Sequence, residues 1–188
     1  MDLRTYIENN HKSAITNPWV GGYRGGDNIK LKLETARPNL SSFCKILSDN
    51  NLNYRIIFGT LLGLYREGDL IPHDEDMDTC IKNSDGPKLV TIIPELIKAG
   101  FEVVRYDHSV ISFGKDHDYI DVYLFKNLKC GCYSLSEKDF TCNNTISYRG
   151  EELPTIADPE AFFRRYYGAD WKTPIEGLNA NPKNEKRV

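Results

Sequence analysis

The chain has 188 residues, 40% hydrophobic and 27% charged, which suits one globular domain with a sizeable core. Its net charge of −3 excludes a global field that recruits nucleic acid, and no apolar run is long enough to span a bilayer. The polar start, Met1 to Glu8, lacks the apolar core of a signal peptide, and five cysteines, an odd number, do not make a disulfide framework. Together these features predict a cytoplasmic protein in a reducing compartment, with room for work at a membrane surface.

In chain order, residues 1–37 are polar and hold the Gly-rich run Gly21-Gly22-Tyr23-Arg24-Gly25-Gly26, expected as a flexible arm and loop. Tyr23 and Arg24 could close over a nucleotide, although a disordered arm is the simpler expectation. Pro38 suits the first turn of a helix that continues through Leu40, Phe43, Cys44 and Leu47 and ends at Asn50-Asn51. Tyr54–Phe58 reads as a buried strand and Thr60–Arg66 as a short helix after a Gly59 turn. The next segment is predicted as a strand, bounded by Pro72, that carries Asp74, Asp76 and Asp78 and completes at Ile81. A helix over 87–99 buries Leu89, Ile92, Ile93, Leu96 and Ile97 and stops at Gly100. Strands follow at 101–106, 110–113 and 119–125, the last two joined through Gly114 to His117. Residues 126–156 read as loops or short strands, and Asp158 caps a helix from Pro159 to Gly168. Helices and strands thus alternate around a mixed sheet, an α/β (α+β) domain.

The acidic run is the main chemical signal. On a strand the three carboxylates would share one face, roughly 6.6 Å apart at each step of two. Such like charges repel unless a cation or protons neutralise them, and oxygen-only ligands favour Mg²⁺, Mn²⁺ or Ca²⁺. A solvated acidic turn is the plainer alternative. An EF-hand loop is a poor match, because Thr79 stands where that loop needs glycine. Asp121, in an otherwise apolar and aromatic strand, is expensive without a partner and is a further candidate ligand or base, or else an edge residue facing water. Gly59 and Thr60 could offer backbone N–H groups to a phosphate. Arg66 could clamp one, or simply pair with Glu67 or Asp69. His73 could bond a phosphate or stack on a base, or pack beside the proline turn. Cys130, Cys132 and Cys142, with His108 or His117, could hold structural zinc, although free buried thiols are the commoner outcome.

The combination of a Gly-Thr turn, an acidic pair and a distant Asp on another strand resembles the nucleotidyltransferase (polymerase-β-like) superfamily. Within it, Gly59-Thr60-Leu61-Leu62-Gly63, Arg66, Gly68, Ile71-Pro72 and Asp74-Glu75-Asp76-Met77-Asp78 resemble the LicD/fukutin pattern. The later Tyr167-Gly168-Ala169-Asp170-Trp171-Lys172-Thr173-Pro174 is similar to that family's Tyr-Gly-x-x-Trp-x-x-Pro ending. His73 departs from it, since Trp often precedes the acidic run. The resemblance implies a nucleotidyltransferase fold, with residues 38–178 as the catalytic domain between the 1–37 arm and a polar 179–188 tail. It implies a transferase that moves phosphocholine, ribitol phosphate or a similar group from a CDP-linked alcohol donor to a sugar hydroxyl of a glycan or glycolipid acceptor. In that reading Asp74, Asp76, Asp78 and Asp121 hold Mg²⁺ or Mn²⁺, with Asp76, Asp78 and Asp121 catalytic. Gly59, Thr60, Arg66 and His73 then face the substrate. A true nucleotidyltransferase and a non-catalytic metal-binding module are the alternatives.

Overall fold

The computed structural model describes residues 1–19 and 30–174. The 21–26 loop with Tyr23 and Arg24, and the 179–188 tail, lie outside the described residues. Seven α-helices and nine strands are described: α1 Leu3–Asn10, α2 Ser13–Thr16, α3 Leu33–Asp49, β1 Tyr54–Ile56, α4 Phe58–Glu67, β2 Met77–Lys82, α5 Gly86–Lys98, β3 Glu102–Tyr106, β4 Val110–Lys115, β5 Asp118–Phe125, β6 Lys129–Cys130, β7 Tyr133–Ser134, α6 Glu137–Thr141, β8 Thr145–Tyr148, β9 Glu151–Pro154 and α7 Pro159–Tyr167.

Five strands form one mixed sheet in the order β1-β2-β5-β4-β3. Its centre is the parallel pair β2 and β5, in register Asp78 to Asp121, and the remaining pairings are antiparallel. Strands β2, β4 and β5 are buried over nearly their whole length, which is why they read as apolar runs without clean alternation. The core gathers the α3 stripe (Leu40, Phe43, Leu47), the α5 stripe (Leu89, Ile92, Ile93, Leu96) and these strands. Ile97, expected on the α5 stripe, is instead exposed.

Three expectations are corrected. The polar start carries α1 and α2, whose Leu3, Ile7 and Ala14 enter the core. Helix α3 begins five residues before Pro38, which lies inside it. Its start is capped from β5: the Asp118 carboxylate accepts from Lys32 N (3.2 Å) and from the Thr35 hydroxyl. The acidic strand begins only at Met77. Pro72 occupies a tight turn closed by Asp74 N donating to Ile71 O (3.1 Å), so Asp74 and Asp76 sit in the approach to β2 and only Asp78 is on it.

The hard-to-read 126–156 stretch forms two small hairpins, β6-β7 and β8-β9, and the short helix α6. Arg55 on β1 fastens it: its buried guanidinium donates to the carbonyls of Asp139 (2.7 Å), Phe140 (2.7 Å) and Cys142 (3.2 Å) at the end of α6. Helix α7 is capped as expected, with the Asp158 side chain accepting from Ala161 N (2.9 Å).

Candidate active site

The site is built where α4 meets the β2/β5 pair. Phe58 opens α4 with φ of 50°, a left-handed value rare for an aromatic residue. Its ring is held by Tyr133 (4.5 Å between centroids), Tyr123 (4.8 Å) and Phe162 (5.6 Å), which fixes this strained entry. The sharp turn sets Gly59 and Thr60 against β2. Thr60 Oγ1 accepts from Asp78 N (2.7 Å), and Thr60 N points at Asp78 Oδ2 (3.4 Å). A methyl group on Gly59 would overlap Asp74 Oδ2 and sit 3.4 Å from Asp78 Oδ2, so two carboxylates face the same small space above this glycine.

The second half of the site runs across the sheet. Arg105 on β3 is opposite Ser112 on β4, Ser112 is opposite Asp121 on β5, and Asp121 is opposite Asp78 on β2. Paired residues share a face, so this is one polar row on four strands. Asp121 is 2% exposed and both its oxygens accept: Oδ1 from Ser112 Oγ (2.5 Å) and Oδ2 from Arg105 Nη2 (2.6 Å). The partner that the sequence argument demanded for Asp121 is therefore an arginine on its own sheet.

Electrostatics follow from crowding. Burial pushes the Asp74 carboxyl up to about 6, offset in part by the Glu75 amide. Burial raises Asp76 well above the carboxylate range; Asp121 and Asp74 add to this and Arg105 opposes it. Asp78 is likewise raised well above that range by burial, then by Asp76, Asp74 and Asp121. Two phenols feel the charge of the same carboxylates. Burial and then the Asp78 carboxylate hold both Tyr123 and Tyr167 above the usual phenol range. Tyr167 is the last residue of α7. It is buried, but its hydroxyl has no hydrogen-bond partner among the described residues.

The remaining candidates sit elsewhere. Arg66 donates from Nε (2.8 Å) and Nη2 (2.6 Å) to Glu67 and from Nη1 to Trp171 O (3.5 Å), the ion-pair arrangement. His73 is half-buried in the proline turn. Cys130 donates to Ser109 O (3.4 Å), Cys142 to Thr155 O (3.3 Å), and Cys132 is exposed. Among the described residues no three His, Cys, Asp or Glu side chains are gathered closely enough to hold a metal as they stand. The acidic set still has the donor chemistry of a hard divalent cation: oxygen-only ligands, mutual repulsion, and two carboxylates facing one gap that a Cβ would fill. Arg105 and Ser112 escaped the sequence reading. An Arg within the β-rich run Val103–Tyr106 was the one signal available.

A sheet of this order, with a Gly-Thr helix start packed on an acidic strand, defines a nucleotidyltransferase-like fold. The solution structure of the antibiotic-resistance factor ANT(2'')-Ia shares it, with a TM-score of 0.53, 16% identity and 80% of each chain covered. Residues 51–153, more than half of the chain, match the family described as LicD/FKTN/FKRP, nucleotidyltransferase domain, and the chain belongs to that family. It is also similar to two uncharacterized proteins, one of Rickettsia typhi (32% identical over 85 residues, 45% of this chain) and one of Rickettsia prowazekii (39% over 59 residues, 31% of this chain). The matched stretches cover 26% and 22% of those relatives, so the chain spans about a quarter of their length. None of the described helices is long and apolar enough to cross a membrane.

Proposed function

We propose that this chain is a metal-dependent transferase that moves a phosphoalcohol, such as phosphocholine or ribitol phosphate, from a CDP-linked donor to a hydroxyl of a glycan or glycolipid. The observation that carries the reading is the acidic set of Asp74, Asp76, Asp78 and Asp121 on and beside the parallel β2/β5 pair, in a chain of the LicD/FKTN/FKRP family. Asp74, Asp76 and Asp78 would hold Mg²⁺ or Mn²⁺, and Asp121 stands beside them, bonded to Arg105. A bound divalent cation supplies charge neutralisation to the donor's phosphates.

The protein's own work is positioning and charge. Phosphoryl transfer asks for little else. The acceptor hydroxyl oxygen attacks the distal phosphorus of the CDP-alcohol, and the bond from that phosphorus to the bridging oxygen breaks. CMP leaves with the bond's electron pair. The hydroxyl proton passes to a carboxylate oxygen of the Asp76/Asp78 pair that the cation leaves unbound. The pair titrates together, so the proton belongs to the cluster. Gly59 leaves open the space that a side chain would fill, and Thr60 locks α4 to Asp78.

The test is a thermal-shift and product panel with CDP-choline, CDP-ribitol, CDP-glycerol, CTP and ATP, each with and without Mg²⁺. Magnesium-dependent stabilisation by one CDP-alcohol, of about 2.7 kcal/mol at roughly 100 times its dissociation constant, and release of CMP are expected. Pyrophosphate release from a triphosphate would replace this reading with a true nucleotidyltransferase. Absence of any nucleotide response would leave a non-catalytic module.

A further inference from the structure

Arg66, the arginine the sequence nominates for a phosphate, spends its donors on Glu67 and the Trp171 carbonyl. Arg105 is built differently. Strand β3 pairs Glu102 with Gly114 and Val103 with Phe113, then shifts by one residue so that Arg105 meets Ser112. Without that bulge Val104 would stand opposite Ser112, and Arg105 would turn to the other face of the sheet. The bulge therefore delivers a cation to the polar row. The bulged Val104 also contributes its carbonyl, which accepts from Trp19 N (2.8 Å). Trp19, at φ 72°, lays its ring 4.8 Å from the Arg105 guanidinium carbon.

The guanidinium is thus held in three ways. Nε donates to Ser112 Oγ (3.0 Å), Nη2 donates to Asp121 Oδ2 (2.6 Å), and the indole covers the plane. Ser112 and Asp121 each take one donor, and Nη1 makes no hydrogen bond among the described residues. The Arg105 side chain keeps 18% of its surface accessible against 3% for Asp121. Its partner Asp121 lies opposite Asp78 in the β2/β5 register, which places it beside the acidic set. A fixed, partly open, planar fork with unspent donors next to carboxylates suits a phosphate oxygen pair.

We propose that Arg105 is the phosphate-binding cation of this site, gripping a diphosphate through the donors that Ser112 and Asp121 leave unused, with Trp19 and the β3 bulge as its positioning elements. The inference rests on the reading above that the ligand carries a diphosphate. It does not depend on the base or on the alcohol attached.

The experiment measures binding of inorganic pyrophosphate and of CDP to the full chain in Mg²⁺ by calorimetry, with cytidine as a phosphate-free control. Wild type is compared with Arg105→Lys and Arg105→Gln. Lysine keeps the charge beside Asp121 but loses the fork, so it is expected to retain the melting temperature and to weaken pyrophosphate by about tenfold to a hundredfold. Glutamine is expected to abolish binding, and the lysine variant carries the test if the glutamine variant does not fold. Equal pyrophosphate affinity in wild type and the lysine variant would make Arg105 a plain counter-ion for Asp121 and overturn the proposal, as would a wild type that binds no pyrophosphate. Arg105-dependent pyrophosphate binding without binding of any CDP-alcohol would uphold Arg105 and sink the donor assignment alone.

Discussion

Gly59 and Gly63 lie one turn apart on α4, and each leaves no room for a methyl group, for different reasons. At Gly59 the obstacle is the tip of the Asp74 side chain; at Gly63 it is backbone, with Asp69 O at 2.7 Å and Ile71 N at 3.1 Å. A carboxylate can swing aside, whereas a packed backbone cannot. Gly63→Ala is therefore expected to destabilise the fold by about 1–3 kcal/mol. Gly59→Ala is expected to unfold near the wild-type midpoint but to lose magnesium-dependent nucleotide stabilisation. Urea unfolding and a nucleotide thermal shift on the same two variants separate the cases. Equal losses of stability would mean that Asp74 is as rigid as backbone. Tyr167 carries a second residue-scale prediction. Its buried hydroxyl has no partner among the described residues, so Tyr167→Phe removes an uncompensated polar group and is expected to raise stability by up to about 1 kcal/mol. A clear drop in the melting temperature would reveal a hydrogen bond to this hydroxyl.

Among the elements, what the sequence made legible was what local chemistry controls. The α5 stripe, the β4-β5 hairpin and the Asp158 cap of α7 each depend on residues within a turn of one another. What it hid was controlled from a distance. Helix α3 starts early because Asp118, far along the chain on β5, caps it. The β3 bulge that aims Arg105 has no turn residue to announce it. The acidic residues were found, yet their placement on one strand was not right, because Pro72 forms a turn that ends only at Asp74. The 126–156 stretch reads as loops or short strands, and its short helix α6 was missed because that helix is held by Arg55 from β1. That dependence is testable. Arg55→Met leaves the carbonyls of Asp139, Phe140 and Cys142 without their donor and is expected to cost roughly 3 kcal/mol or more. A shift of the urea midpoint at unchanged slope would register this. An unchanged midpoint would show that the α6 segment folds without the clamp.

At the scale of the whole molecule, the acidic set ties stability to pH and, on the proposed reading, to a cation. Burial raises Asp74 from its ordinary 3.8 to about 6, and Asp76 and Asp78 are raised well above the same value. A carboxyl whose pKa is higher folded than unfolded binds its proton more tightly in the folded state. Its stabilising contribution is complete below the unfolded value and is lost as pH rises through the folded one. In chelator, the melting temperature is therefore expected to fall as pH rises from the ordinary value of 3.8 through about 6 and above, as these groups lose protons against one another. Asp69, held low by its bond to Arg37, acts in the opposite sense but below that window. Magnesium should reverse the trend: a cation competes with protons for the same oxygens, so its stabilisation grows as they deprotonate. Melting curves with chelator and with excess Mg²⁺ at several pH values would test both halves. If the chelated melting temperature rises toward pH 8, or if magnesium stabilises equally at pH 5 and pH 8, the carboxylates are not a proton-loaded cation site and the mechanism built on them fails.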